Sequence, residues 1–485
     1  MKVKRPGKVA TVHNTPYFFL PRWFVFADCR GFFLLVNLCV GFAGFEKKDF
    51  CMKVIDKVKE LAWLKVREKD LRHASELRKV SAVSVAAGKK ASFSDRVKDG
   101  GYIVVSQGYD LEGEVVTLKK GTVLDFRGGS LSNGVLIGNQ SVIVAYEKVF
   151  DKVAVKGSWS CQGNVLWFAE GSDIEILDSG VCHITNKIDV ADDVQSALSS
   201  SFRELVFPCL VFYVGKTLEL NTEKRLVFEG TSLKQGVAFC NSTVNGASLI
   251  FTDKNITLLR IGVEEGLYSN QNTVKIEGGN FDVSLCQDYT VNCIEVRTDR
   301  GEKMWGAEIG STVIGRQGSM KGCGIAINPV ENRTNGGYVT QVRVRSNISC
   351  FGVGIKATNY MDWTTGVYYN WCTDVQIDSN IVDCPLAIDT NCDCSISGMI
   401  QAGYFWDKRE NTIPLIRIGG DRASVSANIF DIRRPAGQKW SNWYALEITM
   451  PNASVVANGL FQAFVRLSKN LGQEVVTGQK QAFFY

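Results

Sequence analysis

A short β-type signature recurs about every 30 residues over the last two hundred residues of the chain, and this recurrence constrains the fold more than any other feature. Runs with strand alternation begin near Thr273 (TVKIE), Ala307 (AEIGS), Gln341 (QVRVR), Asp374 (DVQID), Cys394 (CSISG), Ala423 (ASVSA) and Ala453 (ASVVA). A second series follows them at Ile294, Ile325, Ile355, Ile388, Ile416, Leu446 and Val465. No single run of this length buries a hydrophobic face. Stacked as coils of two or three strands, like positions fall one strand spacing (~4.8 Å) apart and share a continuous core. The composition agrees: 46 Gly, only 9 Pro, and Val, Ile, Phe and Thr in short runs. A length of 485 residues would ordinarily suggest several domains, but a stack of coils grows along one axis.

The net charge of +5 is dispersed, with no basic domain of the kind that grips nucleic acid, so no nucleic-acid partner is expected. The 15 cysteines include no pair of CxxC motifs, and the C-x-C at Cys392 and Cys394 has no histidine nearby. No metal site is expected from them. A disulfide framework suits small secreted domains rather than a chain with ample core. Cys293, Cys323, Cys350 and Cys384 each come shortly before the second strand of a coil and are expected to form a column. Vertical neighbours ~4.8 Å apart lie within the range a disulfide tolerates, so bridges and a packed thiol ladder both fit, the ladder better. The only histidines are His13, His73 and His183, which argues against a Ser-His-Asp or His-metal centre on the coils. No motif calls for a cofactor.

The first ninety residues differ. Residues 31–45 (GFFLLVNLCVGFAGF) form an apolar run shorter than the ~20 residues of a spanning helix, with six Lys or Arg before it. Residues 1–51 read as a secretion signal with a long basic start, a membrane anchor or an over-extended start, and a membrane partner is expected only if 31–45 is retained. Residues 52–98 are charge-rich and helix-compatible, with an imperfect heptad of apolar positions.

Two segments carry a family resemblance. DLEGEVVTLKKGTVLDFRGGSLSNGVLIGNQSVI (110–143) resembles the opening coils of β-helix proteins of gut bacteria and of phage tail spikes, through Leu124, Asp125, Phe126, Gly128, Gly129, Asn133-Gly134 and Gly138-Asn139. IDVADDVQSALSSSFRELVFPCLVFYVGKTLEL (188–220) resembles the opening motif of pectate-lyase-like depolymerases, in which a short helix caps the β-helix. Asp192, Asp193, Gln195, Leu198, Phe207, Pro208 and Tyr213 match, whereas Cys209-Leu210 stands where that family has a Gly turn. The resemblance implies an all-β fold, a right-handed parallel β-helix (solenoid) with a short helical N-terminal region. N-terminal coils are expected over 99–185, the main helix over 186–470 with its capping helix near 190–200, and a tail over 471–485. It further implies a homotrimer, a polysaccharide partner and a place on a virion tail or outside the cell. It says little about chemistry, because such solenoids host lyases, hydrolases and purely adhesive proteins. The polygalacturonase motifs are absent, and Asp389-Thr-Asn-Cys-Asp393 matches them only faintly.

Aromatic residues cluster in loops. Tyr360, Trp363, Tyr368, Tyr369 and Trp371 fall in one, Tyr404 and Trp406 in another, and Trp440, Trp443 and Tyr444 in a third. Rings on one face would pack against the C–H faces of sugars; rings folded over the coil edges or into a trimer interface are the alternative. Acids accompany them: Asp362, Asp407 and Glu331, the last with Arg333 in an Asn-Pro-Val-Glu-Asn-Arg loop. Two such carboxylates can cleave a glycosidic bond at ~5–5.5 Å or ~6.5–9.5 Å separation; taken singly, each also fits a solvated loop charge. Asp362, Asp407 and Glu331 are therefore the candidate catalytic residues, and Trp363, Tyr369, Trp371, Tyr404, Trp406, Trp440, Trp443 and Arg333 the candidate substrate contacts. Three functions fit: a tail-spike-like protein that recognises a bacterial surface polysaccharide, with or without cleaving it, a non-catalytic adhesin, and a secreted monomeric lyase or hydrolase.

Overall fold

The computed structural model describes residues 92–172, 188–220, 223–229, 248–251, 256–262, 274–286, 291–298, 303–316, 321–330, 337–362, 367–402, 414–420 and 422–431, together with short strands at 174–176, 182–184, 446–448, 454–456, 458–461, 464–467, 476–477 and 483–484. All of these lie within one compact unit, Lys69–Tyr485. Mostly parallel strands in several sheets make it an all-β solenoid. The α-helices among the described residues are α1 (Phe93–Val97) and α2 (Ala191–Ser199). The apolar 1–51 segment and residues 52–91 lie outside the described residues; α1, N-capped by the Ser92 hydroxyl, closes the charge-rich stretch.

The first coils are tighter than the 30-residue interval. Tyr102 pairs with Val123 and Val123 with Val142, while Val115 pairs with Val135 and Val135 with Ala154, so a coil here takes about 20 residues. The Leu-Asp-Phe-x-Gly-Gly motif explains the economy. Leu124 and Phe126 fill the core, and Asp125 between them is held by the Tyr102 hydroxyl and by Arg127 at 2.8 Å. Gly128 and Asn133 turn the corners at φ of +77° and +52°.

The main solenoid has three parallel ladders. In ladder A, Glu204, Arg225, Lys275, Glu308, Arg343, Gln376, Ser395 and Ser424 stand in register on successive strands. Several of these strands bend and continue as ladder B, where Asn280, Thr312, Asn347, Asn380, Met399 and Asn428 align. Ladder C aligns Ile294, Ile325, Ile355, Ile388, Ile416, Leu446 and Val465, the second series read from the sequence. In the first series Val274, Ala307 and Val342 align, as do Val375, Cys394 and Ala423. Gln341 and Asp374 differ from expectation: they take φ of +57° and +54° and turn the chain into ladder A one residue before Val342 and Val375.

Inside, Ile294, Ile325, Ile355, Ile388 and Ile416 are fully buried, each contributing roughly 1.5–3 kcal/mol of hydrophobic stabilisation. Phe207 stacks on Phe228 at 4.2 Å, and Phe228 meets Phe281 edge-on at 5.4 Å. At the bend between ladders A and B, buried serines close the backbone. Ser346 Oγ donates to Ile309 O (3.1 Å), Ser379 Oγ donates to Val344 O (3.0 Å), and the Ser346 amide donates to Ser379 Oγ (3.2 Å). On the next rung the bend is made instead by Gly398, at φ +97°.

Helix α2 lies at the start of ladder A, burying Val194, Ala197 and Leu198. Asp193 pairs with Lys148 at 2.6 Å and Asp192 with Lys216 at 2.8 Å. Its C-terminal end is held by Lys224, whose ammonium donates to Ser200 O (2.5 Å) and Phe202 O (2.7 Å). Burial pushes Lys224 down to about 8.

Ten cysteines have described side chains; all are thiols and eight are buried. Burial pushes the Cys323 and Cys384 thiols up to about 12, so they are unreactive while the protein is folded. The expected column is staggered. Cys323 aligns with Asn292 and Val353 at the head of ladder C, whereas Cys350 and Cys384 sit in the corner before it.

Candidate functional site

Ladder C turns every second side chain outward, and its middle outward position forms a column: Glu219, Arg260, Glu295, Ala326, Lys356, Asp389, Arg417, Glu447. Charges alternate along it except at Ala326. Arg260 bonds Glu219 (2.9 Å) and Glu295 (3.3 Å). Glu295, 6% exposed, also receives Asn292 Nδ2 (2.8 Å), Thr257 Oγ1 (3.1 Å) and Arg297 (3.3 Å). This carboxylate is therefore saturated with donors and has a structural role. Further along, Arg417 lies between Glu447 (3.2 Å) and Asp389 (3.8 Å).

From Lys356 onward the face opens into a shallow depression of about 200 Å³. It is lined by Lys356, Thr358, Asp389, Asn391, Arg417 and Gly419, among others. Its floor is rigid because Asn391 and Asn359, on successive coils, tie the chain where it leaves ladder C. The Asn391 side-chain amide donates to Asn359 O (2.9 Å), and Asn359 Nδ2 donates to Asn391 O (3.3 Å). Asn359 Oδ1 in turn accepts the amide of Cys372. One residue from that anchor is Trp371.

Trp371 is the one exposed aromatic residue among those described, at 45% exposure. It stands in register with Tyr338 on the leading edge of ladder A, their rings meeting edge-on at 5.5 Å. Tyr338 meets Trp305 in the same way at 6.2 Å. The three rings thus form a strip running from coil to coil, the inner two bracing the presented one. A ring held this way loses little conformational entropy when a ligand packs on it.

The other expected residues are placed less completely. Asp362 and Tyr369 lie on the antiparallel strands Tyr360–Asp362 and Val367–Thr373, where Met361 faces Tyr368; their side chains are outside the description. Glu331, Arg333, Trp363, Tyr404, Trp406, Asp407, Trp440 and Trp443 lie outside the described residues. Chain order still separates them into two groups. Glu331, Arg333 and residues 360–371 belong to connections from ladder C to ladder A, whereas 404–407 and 440–443 belong to connections from ladder B to ladder C. In chain order the first set follows ladder C strands and the second precedes them.

Sequence reasoning missed that floor and the bracing rings. Trp305, Tyr338 and Trp371 recur at intervals of 33 residues, a period legible in the sequence but less conspicuous than the aromatic clusters within loops. Lys356, Asp389 and Arg417 occupy the residue after each core isoleucine, a position that alternation marks as outward. Among the described residues no group of three His, Cys, Asp or Glu side chains is placed to hold a metal ion. Comparison with protein-family models, curated proteins and solved structures gives no match.

Proposed function

We propose that this solenoid is a polysaccharide-binding protein of the tail-spike kind, a right-handed β-helix that grips its ligand along ladder C and the adjoining edge of ladder A. The observation that carries this reading is Trp371, a large ring left exposed yet braced by Tyr338 and tethered through Cys372 and Asn359 to the polar depression. An apolar face beside hydroxyl, amide and charged groups is what a sugar requires. A homotrimer on a virion tail or at a cell surface fits the family resemblance.

Binding is the primary activity in this reading. Cleavage would call on a pair of carboxylates, with Asp362, Asp407 and Glu331 as candidates. The test is retention of the chain in gels cast with capsular polysaccharides, with Trp371→Ala beside wild type. Wild type is expected to be retarded by at least one polysaccharide, and Trp371→Ala to weaken that retardation about tenfold. Equal retardation of both proteins would remove Trp371 from the site. Release of reducing ends by wild type but not by Asp362→Asn or Asp407→Asn would add hydrolysis.

A further inference from the structure

We infer that the depression on ladder C takes a negatively charged substituent of the bound glycan (a carboxylate, sulfate or phosphate), with Lys356 as its contact. This rests on the glycan reading above. Along the outward column the other charged side chains described are paired: Glu219 and Glu295 by Arg260, and Asp389 and Glu447 by Arg417. Lys356 makes no ion pair among the described residues. Its neighbour on one side is the uncharged Ala326, and on the other Asp389 is already engaged by Arg417. The depression therefore holds two cations and one carboxylate, and the cation left over is exposed at its mouth.

The surroundings suit an anionic group. Asn391 and Thr358 add uncharged polar groups to the lining. Arg417, hydrogen-bonded to Glu447 at 3.2 Å and 3.8 Å from Asp389, adds positive field beside it. Asp389 opposes a second anion close to Arg417 and so directs the incoming charge to the Lys356 end. Trp371 is joined to this depression by the Asn391–Asn359–Cys372 chain of hydrogen bonds, and the inference has one glycan place a sugar on the ring and its charged substituent on Lys356.

The test is a printed array carrying neutral, uronate-containing, sulfated and phosphorylated glycans, probed with full-length wild type, Lys356→Gln and Trp371→Ala at low and physiological salt. Wild type is expected to favour anionic glycans, with the preference shrinking as salt rises. Lys356→Gln should lose about tenfold on anionic glycans and nothing on neutral ones, as expected for one charge-assisted hydrogen bond at a partly exposed site. Trp371→Ala should weaken both classes alike. Which anionic class gives the signal distinguishes carboxylate from sulfate or phosphate. Binding confined to neutral glycans, or an anionic preference that Lys356→Gln leaves unchanged, overturns the inference while sparing the glycan reading. Absence of binding to every glycan overturns both.

Discussion

Replacing Gly398 by alanine tests the stacking geometry directly. Gly398 sits at φ +97° in the bend between ladders A and B, in register with Ser379 on the coil before it and Ala427 on the coil after. A Cβ there would overlap the carbonyl oxygen of Ser379 and lie 2.8 Å from its amide nitrogen. The left-handed backbone alone costs an alanine about 1–2 kcal/mol. Relieving the overlap also requires the two rungs to part, which disturbs the bonds of Ser379 Oγ to Val344 O and Ser346 N, each worth about 1 kcal/mol. The expected total is about 3–4 kcal/mol. Gly113 supplies the control: at φ +83° it carries the same backbone penalty, yet a Cβ there meets nothing within 4 Å. Gly113→Ala should therefore cost only about 1–2 kcal/mol. Urea unfolding of both variants, with hydrogen exchange to locate the loss, measures the difference. Equal destabilisation, or exchange that quickens far from residues 379–427, would show that close rung contact is not what demands glycine.

Two further outcomes follow from buried polar groups. Ser379→Ala removes the hydroxyl that satisfies Val344 O and the Ser346 amide, and should destabilise by about 1–3 kcal/mol in the same assay, whereas exposed Ser424→Ala should change little. Lys224 gives a pH signature. Its pKa is lowered from 10.5 to about 8 on folding, so between these values the unfolded chain binds more protons and stability rises with pH, the gain levelling off above 10.5. Unfolding midpoints of wild type minus those of Lys224→Met should climb between pH 8 and 10, by on the order of 2 kcal/mol in free energy. A flat difference would mean that Lys224 stays charged on its two carbonyls throughout.

The fold was legible because its repeat is written twice. The isoleucines of ladder C appear at recognisable spacing, and each of them pairs with the next in the register expected. Coil length was less legible. Glu308 to Arg343 spans 35 residues, Gln376 to Ser395 only 19 and Arg225 to Lys275 fully 50. The ladders constrain only the residues that face the core and leave the connections free to vary. The cysteine column is staggered for the same reason, because Cys350 and Cys384 stand in corners rather than on strands. As for the site, a loop crowded with tyrosine and tryptophan attracts notice, whereas one ring per coil at Trp305, Tyr338 and Trp371 does not. The depression on ladder C brings together a lysine, an aspartate and an arginine whose neighbourhood exists only once the coils are stacked.

The alternating column of ladder C also bears on how such a chain finds its register. Its inward positions are mostly isoleucine and leucine, so the core alone would accept a coil stacked on the wrong neighbour almost as well as on the right one. The outward charges would not. Were the Leu386–Thr390 rung looped out, Lys356 would meet Arg417; were the Ile416–Ile418 rung skipped, Asp389 would meet Glu447. Like charges directly opposed across a ladder are destabilising. The surface proposed to receive the ligand thus also disfavours a skipped coil, and a substitution chosen to alter binding there is expected to affect stacking as well.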